Sequence, residues 1–282
     1  MLSKIITREK IIPGINQEKM LRSGWGNAVI ENTIVEKIFY LSDGLKVKGY
    51  IAYPKDQTKK YQCIIWCRGG YKNIGAIDEF NALGMFGQIA SRGYVVFAPQ
   101  YRGSACSEGI DEFGGSDLND IINIIPLADE IECADKNIWG IEGWSRGGMM
   151  TYLASTKTNI FKAAIIIGGI TKINCDDKNE LFMQHLYESY PNSSDESIRE
   201  KCRERSIINF PEKLSRTTPI LLMHGMTDER VPVGNSIELS DKLKKLNYPH
   251  ELILFENGDH FLKSYRKEVG EKRDGWFKKF LK

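Results

Sequence analysis

The sequence predicts a protein of the α/β class, built on a mostly parallel, doubly wound sheet. Short runs that are apolar on both faces suit the buried strands of such a sheet; they lie at 63–67, 94–98, 138–141, 163–167, 220–223 and 251–255. Segments with helical periodicity lie between these runs, at 77–91, 116–128, 146–156 and 234–246. The repeated order of strand and helix predicts a sheet with helices on both faces.

Three segments depart from this alternation. Residues 33–53 alternate apolar and polar around a Ser-Asp-Gly turn, which predicts an N-terminal antiparallel hairpin. Residues 171–218 are polar and charged with a few apolar positions, which predicts a small helical cap between strands. Residues 263–282 carry aromatic residues at helical spacing between basic ones, which predicts a docked final helix. No repeat or linker divides the chain, so we expect residues 1–282 to form one α/β domain.

Composition restricts the partners. The 39 basic residues are nearly matched by 37 acidic ones, which argues against nucleic acid and favours a small-molecule or short peptide substrate. No apolar run reaches the ~18 residues of a membrane helix, and the first residues lack a secretory leader, so we expect no membrane partner and a cytoplasmic location. We expect no cofactor and six reduced cysteines, since no zinc-type spacing occurs. The oligomeric state stays open.

The strongest chemical motif is G-x-S-x-G, which runs from Gly143 to Gly147 around Ser145. A short buried strand precedes it and a helical segment follows it at once, which is the context that this motif requires. A serine on such a tight turn takes a strained backbone and is exposed at a helix N-terminus, where developing negative charge is favoured. We therefore predict that Ser145 is a nucleophile. The alternative is a glycine-rich turn with an incidental serine.

A serine nucleophile needs a base, and four histidines are available. His260 follows the last strand and precedes the last helix, which is the position that a catalytic histidine takes in this kind of fold. His224 ends a strand before a glycine and is expected to support the turn. His250 starts a strand, and His185 falls in the predicted cap. We predict His260 as the general base.

The acid that orients the histidine is expected in the loop after the preceding strand. Asp228 and Glu229 both lie there. Asp228 is preferred, because a short, stiff carboxylate on a tight loop reaches the imidazole Nδ1, whereas Glu229 suits an exposed ion pair with Arg230. Asp259 is too close in sequence to His260 to face its ring easily.

An oxyanion transition state needs two fixed donors. The backbone N–H of Arg146, directly after the nucleophile, is one candidate. The second is expected after an early strand, where a glycine pair is followed by Tyr71; the N–H of Gly70 or of Tyr71 is the candidate. The alternative for this pair is a glycine turn needed only for chain reversal.

With these residues in place, the chain resembles the catalytic domain of the prolyl oligopeptidase family of serine peptidases. The motifs that carry the resemblance occur in the family's order: R-G-G-Y at 68–71, Y-R-G-S at 101–104, G-W-S-R-G-G at 143–148, P-I-L-L-M-H-G-x-x-D at 219–228 and G-D-H at 258–260. The resemblance covers the chain from about residue 35 to its end. It implies an α/β-hydrolase fold and a Ser145-Asp228-His260 triad.

Two departures limit what the resemblance implies. Family peptidases usually carry a β-propeller ahead of this domain, and only about 35 residues precede the hairpin here, so proline or dipeptide specificity does not follow. Some relatives also use a tyrosine hydroxyl in the oxyanion hole where this chain has Arg68. Arg68, which would add charge there, and Trp144, beside the nucleophile, are the candidate substrate-binding residues.

Three functions stay open. The first is hydrolysis of a peptide or amide through an acyl-enzyme, and the second is ester or thioester hydrolysis at the same site. The third is an inactive binding protein on a hydrolase scaffold, whose usual mark is a missing triad member, and none is missing here. A metal hydrolase is disfavoured, because the histidines lack a metal-ligand spacing such as H-E-x-x-H.

Overall fold

The structure, a computed structural model, describes residues 4–282 and confirms the α/β-hydrolase fold. Its nine-stranded sheet has the order β1-β2-β3-β5-β4-β6-β7-β8-β9. The strands are β1 (Ile5–Lys10), β2 (Thr33–Ser42), β3 (Leu45–Pro54), β4 (Tyr61–Cys67), β5 (Val95–Pro99), β6 (Ala134–Trp144), β7 (Phe161–Ile167), β8 (Ile220–Gly225) and β9 (His250–Phe255). Six neighbouring strands are parallel: β5, β4, β6, β7, β8 and β9. Strands β2 and β3 form the predicted antiparallel hairpin.

Helices cover both faces of the sheet. They are α1 (Ile15–Trp25), α2 (Ala28–Glu31), α3 (Glu79–Ala90), α4 (Leu118–Asn123), α5 (Arg146–Lys157), α6 (Leu181–Ser189), α7 (Asp195–Arg205), α8 (Gly234–Lys245) and α9 (Arg266–Phe280). Side chains of α4, α5 and α8 pack into the core on one face, and those of α3 and α9 into the core on the other. Across residues 4–282, no helix combines the length and the apolar character needed to cross a membrane.

The strand order creates a crevice next to β4. The chain passes from β4 through α3 to β5 on one side, and returns from β5 to β6 on the other side of β4. The loops that leave the carboxyl ends of β4 and β6 therefore diverge, which is the switch point where open α/β sheets bind their ligands. The R-G-G-Y turn follows β4, and the G-x-S-x-G turn follows β6.

The N-terminal strand and helix are not predicted from the sequence. In β1 every residue after Ile5 is exposed, because this strand lies at the edge of the sheet and pairs only with β2. Its apolar and charged residues therefore do not form a buried run. In α1 only Leu21 is buried, so this helix also lacks a clear apolar face.

Residues 171–218 contain α6 and α7, followed by short 3-10 turns at Ile207–Asn209 and Pro211–Lys213. Within this segment Cys175 and Cys202 form a disulfide, with 6.0 Å between their Cα atoms. The expectation that all six cysteines are free thiols is therefore wrong for these two. Their pairing depends on how α7 folds back onto the loop before α6, which cysteine spacing does not reveal. The other four cysteines are free.

Candidate active site

Ser145 lies on a sharp turn between β6 and α5. Its backbone has φ 59° and ψ −123°, a region that side-chain-bearing residues rarely adopt. The flanking glycines permit this turn, because a Cβ on Gly143 would lie 2.0 Å from the carbonyl oxygen of Gly147, and one on Gly147 would lie 2.0 Å from that of Cys67. The N–H of Ser145 donates to the carbonyl of Ile167 at 2.9 Å, which ties the turn to β7.

The turn leaves Ser145 half-buried at the N-terminus of α5. The first N–H groups of a helix have no partner within it, and the helix dipole favours negative charge at this end. The N–H of Arg146 is the first of these groups. A negative charge that develops beside Ser145 would therefore meet a favourable field.

His260 and Asp228 meet at the carboxyl ends of the last two strands. Asp228 follows β8 and His260 follows β9, and these strands are parallel neighbours. Nδ1 of His260 lies 2.8 Å from Oδ2 of Asp228. The indole N–H of Trp144 donates to the carbonyl oxygen of His260 at 2.9 Å, which ties the histidine loop to the residue before Ser145. The structure thus brings the three predicted triad residues to one edge of the sheet.

Asp228 accepts three hydrogen bonds and contacts a second histidine. Its Oδ1 accepts from the backbone N–H groups of Arg230 and Val231, each at 2.9 Å. Its Oδ2 faces His260 at 2.8 Å and His224 Nε2 at 3.2 Å. Burial by itself would raise the pKa of Asp228, but these hydrogen bonds outweigh it and hold the pKa well below its usual range. Asp228 is therefore an anion across the neutral range.

The other two carboxylates considered from the sequence lie elsewhere. Glu229 is exposed to solvent. Asp259 accepts a hydrogen bond from the backbone N–H of Lys263 at 3.0 Å. Within the part of the chain that the structure describes, neither carboxylate hydrogen-bonds to His260, whereas Asp228 does.

The loop after β4 lies directly against the nucleophile turn. A Cβ on Gly69 would lie 2.9 Å from the carbonyl oxygen of Trp144 and 3.2 Å from Cβ of Ser145, so only glycine fits this approach. Gly70 has φ 76°, and a Cβ there would lie 2.0 Å from the carbonyl oxygen of Ile74. The glycine pair therefore brings a segment of backbone beside Ser145, which is what a second oxyanion donor requires.

Arg68 does not reach the crevice. Its side chain has no exposed surface, and its guanidinium donates to five oxygen atoms of the protein: the carbonyls of Gln100, Gly69, Ile74 and Lys72 and the hydroxyl of Ser104. Burial and the neighbouring Arg146 lower the pKa of Arg68 to about 10. These contacts argue against the predicted contact with substrate and make Arg68 an internal brace of the loop.

The side chain of Arg146 is also buried. It donates to Asp111 at 2.6 and 2.8 Å and to Asp117 at 2.6 Å. The same guanidinium donates to the carbonyl oxygen of Gly70 at 2.9 Å. Asp111 in turn accepts from the backbone N–H of Lys72 at 2.9 Å. The Arg146–Asp111 pair therefore holds the backbone on both sides of Tyr71.

The side chain of Tyr71 packs under α6. Its ring stacks on His185 with 4.2 Å between ring centroids, and its hydroxyl lies 2.9 Å from the hydroxyl of Ser189. Lys72 forms an ion pair with Glu188 at 3.0 Å. The segment 171–218 thus contacts the same loop that lies against Ser145. Sequence spacing could not predict this contact, which depends on how α6 is placed.

Comparisons with known proteins point to one family. The model of the prolyl oligopeptidase family matches residues 84–282. The chain is 30% identical over 225 residues to the uncharacterised peptidase YtmA of Bacillus subtilis, an alignment that covers 79% of this chain and 85% of YtmA. It is also 29% identical over 272 residues to the uncharacterised peptidase YuxL of the same organism, covering 89% of this chain and 39% of YuxL.

Among solved structures, the acylaminoacyl peptidase of Pyrococcus horikoshii superposes with a TM-score of 0.74 at 23% identity. The superposition covers 96% of this chain and 44% of the archaeal protein. This similarity supports the fold. The chain spans less than half the length of YuxL and of the archaeal peptidase.

Proposed function

On the premise that this chain belongs to the prolyl oligopeptidase family of serine peptidases and is a serine hydrolase, we propose that it cleaves peptide or amide bonds through an acyl-enzyme on Ser145. His260 is the general base and Asp228 is the acid that orients it. The observation that carries this proposal is the 2.8 Å hydrogen bond between His260 Nδ1 and Asp228, in a loop tied by Trp144 to the turn of Ser145.

The first half of the reaction forms the acyl-enzyme. As Oγ of Ser145 bonds to the substrate carbonyl carbon, Nε2 of His260 takes the hydroxyl proton. Ionised Asp228 accepts the Nδ1–H, which keeps Nε2 free to take that proton and stabilises the imidazolium that forms. The carbonyl oxygen becomes an oxyanion and accepts from the N–H of Arg146 and from the N–H of Gly70 or Tyr71. Collapse of the oxyanion breaks the C–N bond, and His260 gives its proton to the leaving nitrogen.

The second half releases the acid. His260 takes a proton from a water molecule as its oxygen attacks the acyl carbon, and a second oxyanion forms in the same place. When this intermediate collapses, the bond to Oγ breaks and His260 returns the proton to Ser145. The serine and the histidine are then as they started, and the net reaction consumes only the substrate and one water molecule.

Fluorophosphonate labelling tests the nucleophile, because an activated serine attacks phosphorus quickly. We expect the parent to be labelled and Ser145→Ala not to be. Ser240 provides a control, since its hydroxyl lies 2.9 Å from a nitrogen of His250 but on a regular helix rather than on a strained turn. Ser240→Ala should label like the parent. Labelling of Ser145→Ala at the parent rate would reject Ser145 as the nucleophile.

Kinetics on a substrate panel test the intermediate and the bond cleaved. For p-nitrophenyl esters and peptide amides that share one acyl group, a common acyl-enzyme gives a burst of the first product and converging kcat values wherever deacylation limits the rate. Measurable cleavage of peptide amides supports the peptidase assignment. Activity on esters alone would assign the same site to an esterase.

A further inference from the structure

His224 is a second histidine on the proposed triad acid. It lies in β8, and its side chain is completely buried. Its Nε2 lies 3.2 Å from Oδ2 of Asp228 and 2.9 Å from the carbonyl oxygen of Val231. Its Nδ1 lies 2.7 Å from the hydroxyl of Ser236 on α8. Nothing in the proposed reaction uses this residue.

The partners of His224 determine which of its nitrogens carries the hydrogen. The carbonyl oxygen of Val231 and the ionised carboxylate of Asp228 only accept hydrogen bonds. Nε2, which faces both, must therefore be the donor. Nδ1 can accept from Ser236, because a hydroxyl both donates and accepts. The Nε2–H therefore lies between two acceptors that share it, the carbonyl oxygen of Val231 at 2.9 Å and the carboxylate oxygen of Asp228 at 3.2 Å.

The terminal torsion of an aspartate is soft, so contacts at both oxygens hold the plane of its carboxylate more firmly than contacts at one. Oδ1 is held by two backbone N–H groups. Oδ2 is the oxygen that His260 contacts, and the only other donor to it in the described chain is His224. Without His224, the plane of the carboxylate would depend on the two backbone donors at Oδ1 and, at Oδ2, on the catalytic histidine alone, whose position changes during the reaction.

We propose that His224 is a positioning residue for catalysis: it donates to the oxygen of Asp228 that orients His260, and so holds the carboxylate in its working plane. This inference rests on the proposed function, in which Asp228 is the triad acid. It differs from a purely structural role, in which His224 would only hold the carbonyl of Val231 in the turn.

Two substitutions separate these roles. The amide nitrogen of glutamine is as many bonds from Cα as Nε2 of histidine, so His224→Gln retains a donor toward Asp228. The amide nitrogen of asparagine matches Nδ1 instead. His224→Asn therefore keeps a polar group toward Ser236 and loses the donor toward Asp228. We expect His224→Asn to lower kcat about tenfold, the lower end of what a hydrogen bond to a charged group contributes, with KM unchanged. His224→Gln should keep kcat within about threefold of the parent.

His250 offers the matched control. It is partly buried and also pairs with a serine, Ser240, but it lies away from Asp228. His250→Asn should leave kcat unchanged. Thermal unfolding of every variant checks folding. If His224→Asn does not fold, Ser236→Ala serves instead: without the hydroxyl the ring is free to turn, and we expect kcat to fall about threefold at unchanged KM.

The outcomes separate the two proposals. An equal loss of kcat in His224→Gln and His224→Asn, or no loss in either while Asp228→Asn is inactive, overturns the positioning role of His224. If Ser236→Ala has to replace His224→Asn, a kcat equal to that of the parent also overturns the positioning role of His224. If Asp228→Asn keeps parental activity, the proposed triad itself fails. Loss in His224→Asn, with retention in His224→Gln and an inactive Asp228→Asn, supports both proposals.

Discussion

Asp228→Asn is the sharpest perturbation of the proposed site, because the structure dictates how the amide must sit. An asparagine side chain keeps one acceptor oxygen and gains an NH₂ donor. The Oδ1 position faces the backbone N–H groups of Arg230 and Val231, which cannot give up their hydrogens. The Oδ2 position faces His260, which can move its hydrogen from Nδ1 to Nε2, and His224, whose Nε2–H keeps the carbonyl oxygen of Val231 as its acceptor. The amide oxygen therefore takes the Oδ1 position, and the NH₂ faces the imidazole.

This placement stabilises the wrong tautomer of His260. With its hydrogen on Nε2, the imidazole cannot accept the proton of Ser145. The same substitution in the Ser-His-Asp triad of a serine protease costs about 10⁴ in kcat, and we expect a loss within about one or two decades of that value. The fold should persist, because the amide is nearly isosteric and Oδ1 keeps its two backbone donors.

The assay is kcat on one p-nitrophenyl ester at pH 8, with circular dichroism to confirm folding. Glu229→Gln is the matched control in the same loop: its carboxylate is exposed, so solvent screens its charge and kcat should stay within about tenfold of the parent. If Glu229→Gln loses most of its kcat while Asp228→Asn keeps it, the triad acid has been misassigned.

The ionisation of Asp228, the buried ion pairs of Arg146 and the disulfide allow three further tests. Because Asp228 stays ionised in acid, one group alone should titrate on the acid side, so log(kcat/KM) should rise with pH at a slope of +1. A slope of +2 would contradict this. Loss of activity to EDTA with recovery on zinc would contradict the metal-free mechanism. Arg146→Met removes the cation that hydrogen-bonds to buried Asp111 and Asp117 and leaves Asp111 only the more distant Arg68, at 4.0 Å. It should lower the free energy of unfolding in urea by about 3–5 kcal/mol, and a loss below about 1 kcal/mol would show that these charges are solvated. Cys175 and Cys202 are 27 residues apart in sequence, so reduction of their disulfide should lower the free energy of unfolding by about 3 kcal/mol and lower the unfolding temperature. Cys106→Ser, at an exposed free thiol, should leave the unfolding temperature unchanged.

Buried strands and the loops after them were the predictable part of this fold. Strand β4 is recognisable because all but one of its seven residues are buried, so its sequence is apolar except at Gln62. Strand β1 is not, because an edge strand needs no buried face. Ser145, Asp228 and His260 could be proposed from sequence since each lies in the loop after a strand with an apolar sequence, and parallel strands bring such loops to one edge.

Side-chain direction was the unpredictable part of the site. Arg68 begins a loop at the crevice, but spacing does not say whether its side chain points toward solvent or inward, and here it points inward to five acceptors. His224 is four residues from Asp228, and only the tight turn after β8 brings the two side chains within 3.2 Å. In both cases the missing information is the path of a loop, which depends on packing from elsewhere in the chain.

That packing also explains how two diverging loops keep a fixed relation at the switch point. The loops after β4 and β6 leave the sheet in different directions, so their backbones share no ladder of hydrogen bonds there. Arg146 bridges them: its backbone begins α5 beside Ser145, and its side chain holds the carbonyl of Gly70. Because a trans peptide points its N–H opposite to its C=O, fixing that carbonyl also fixes the direction of the Tyr71 N–H. One buried residue thus offers the first proposed oxyanion donor and orients a candidate for the second.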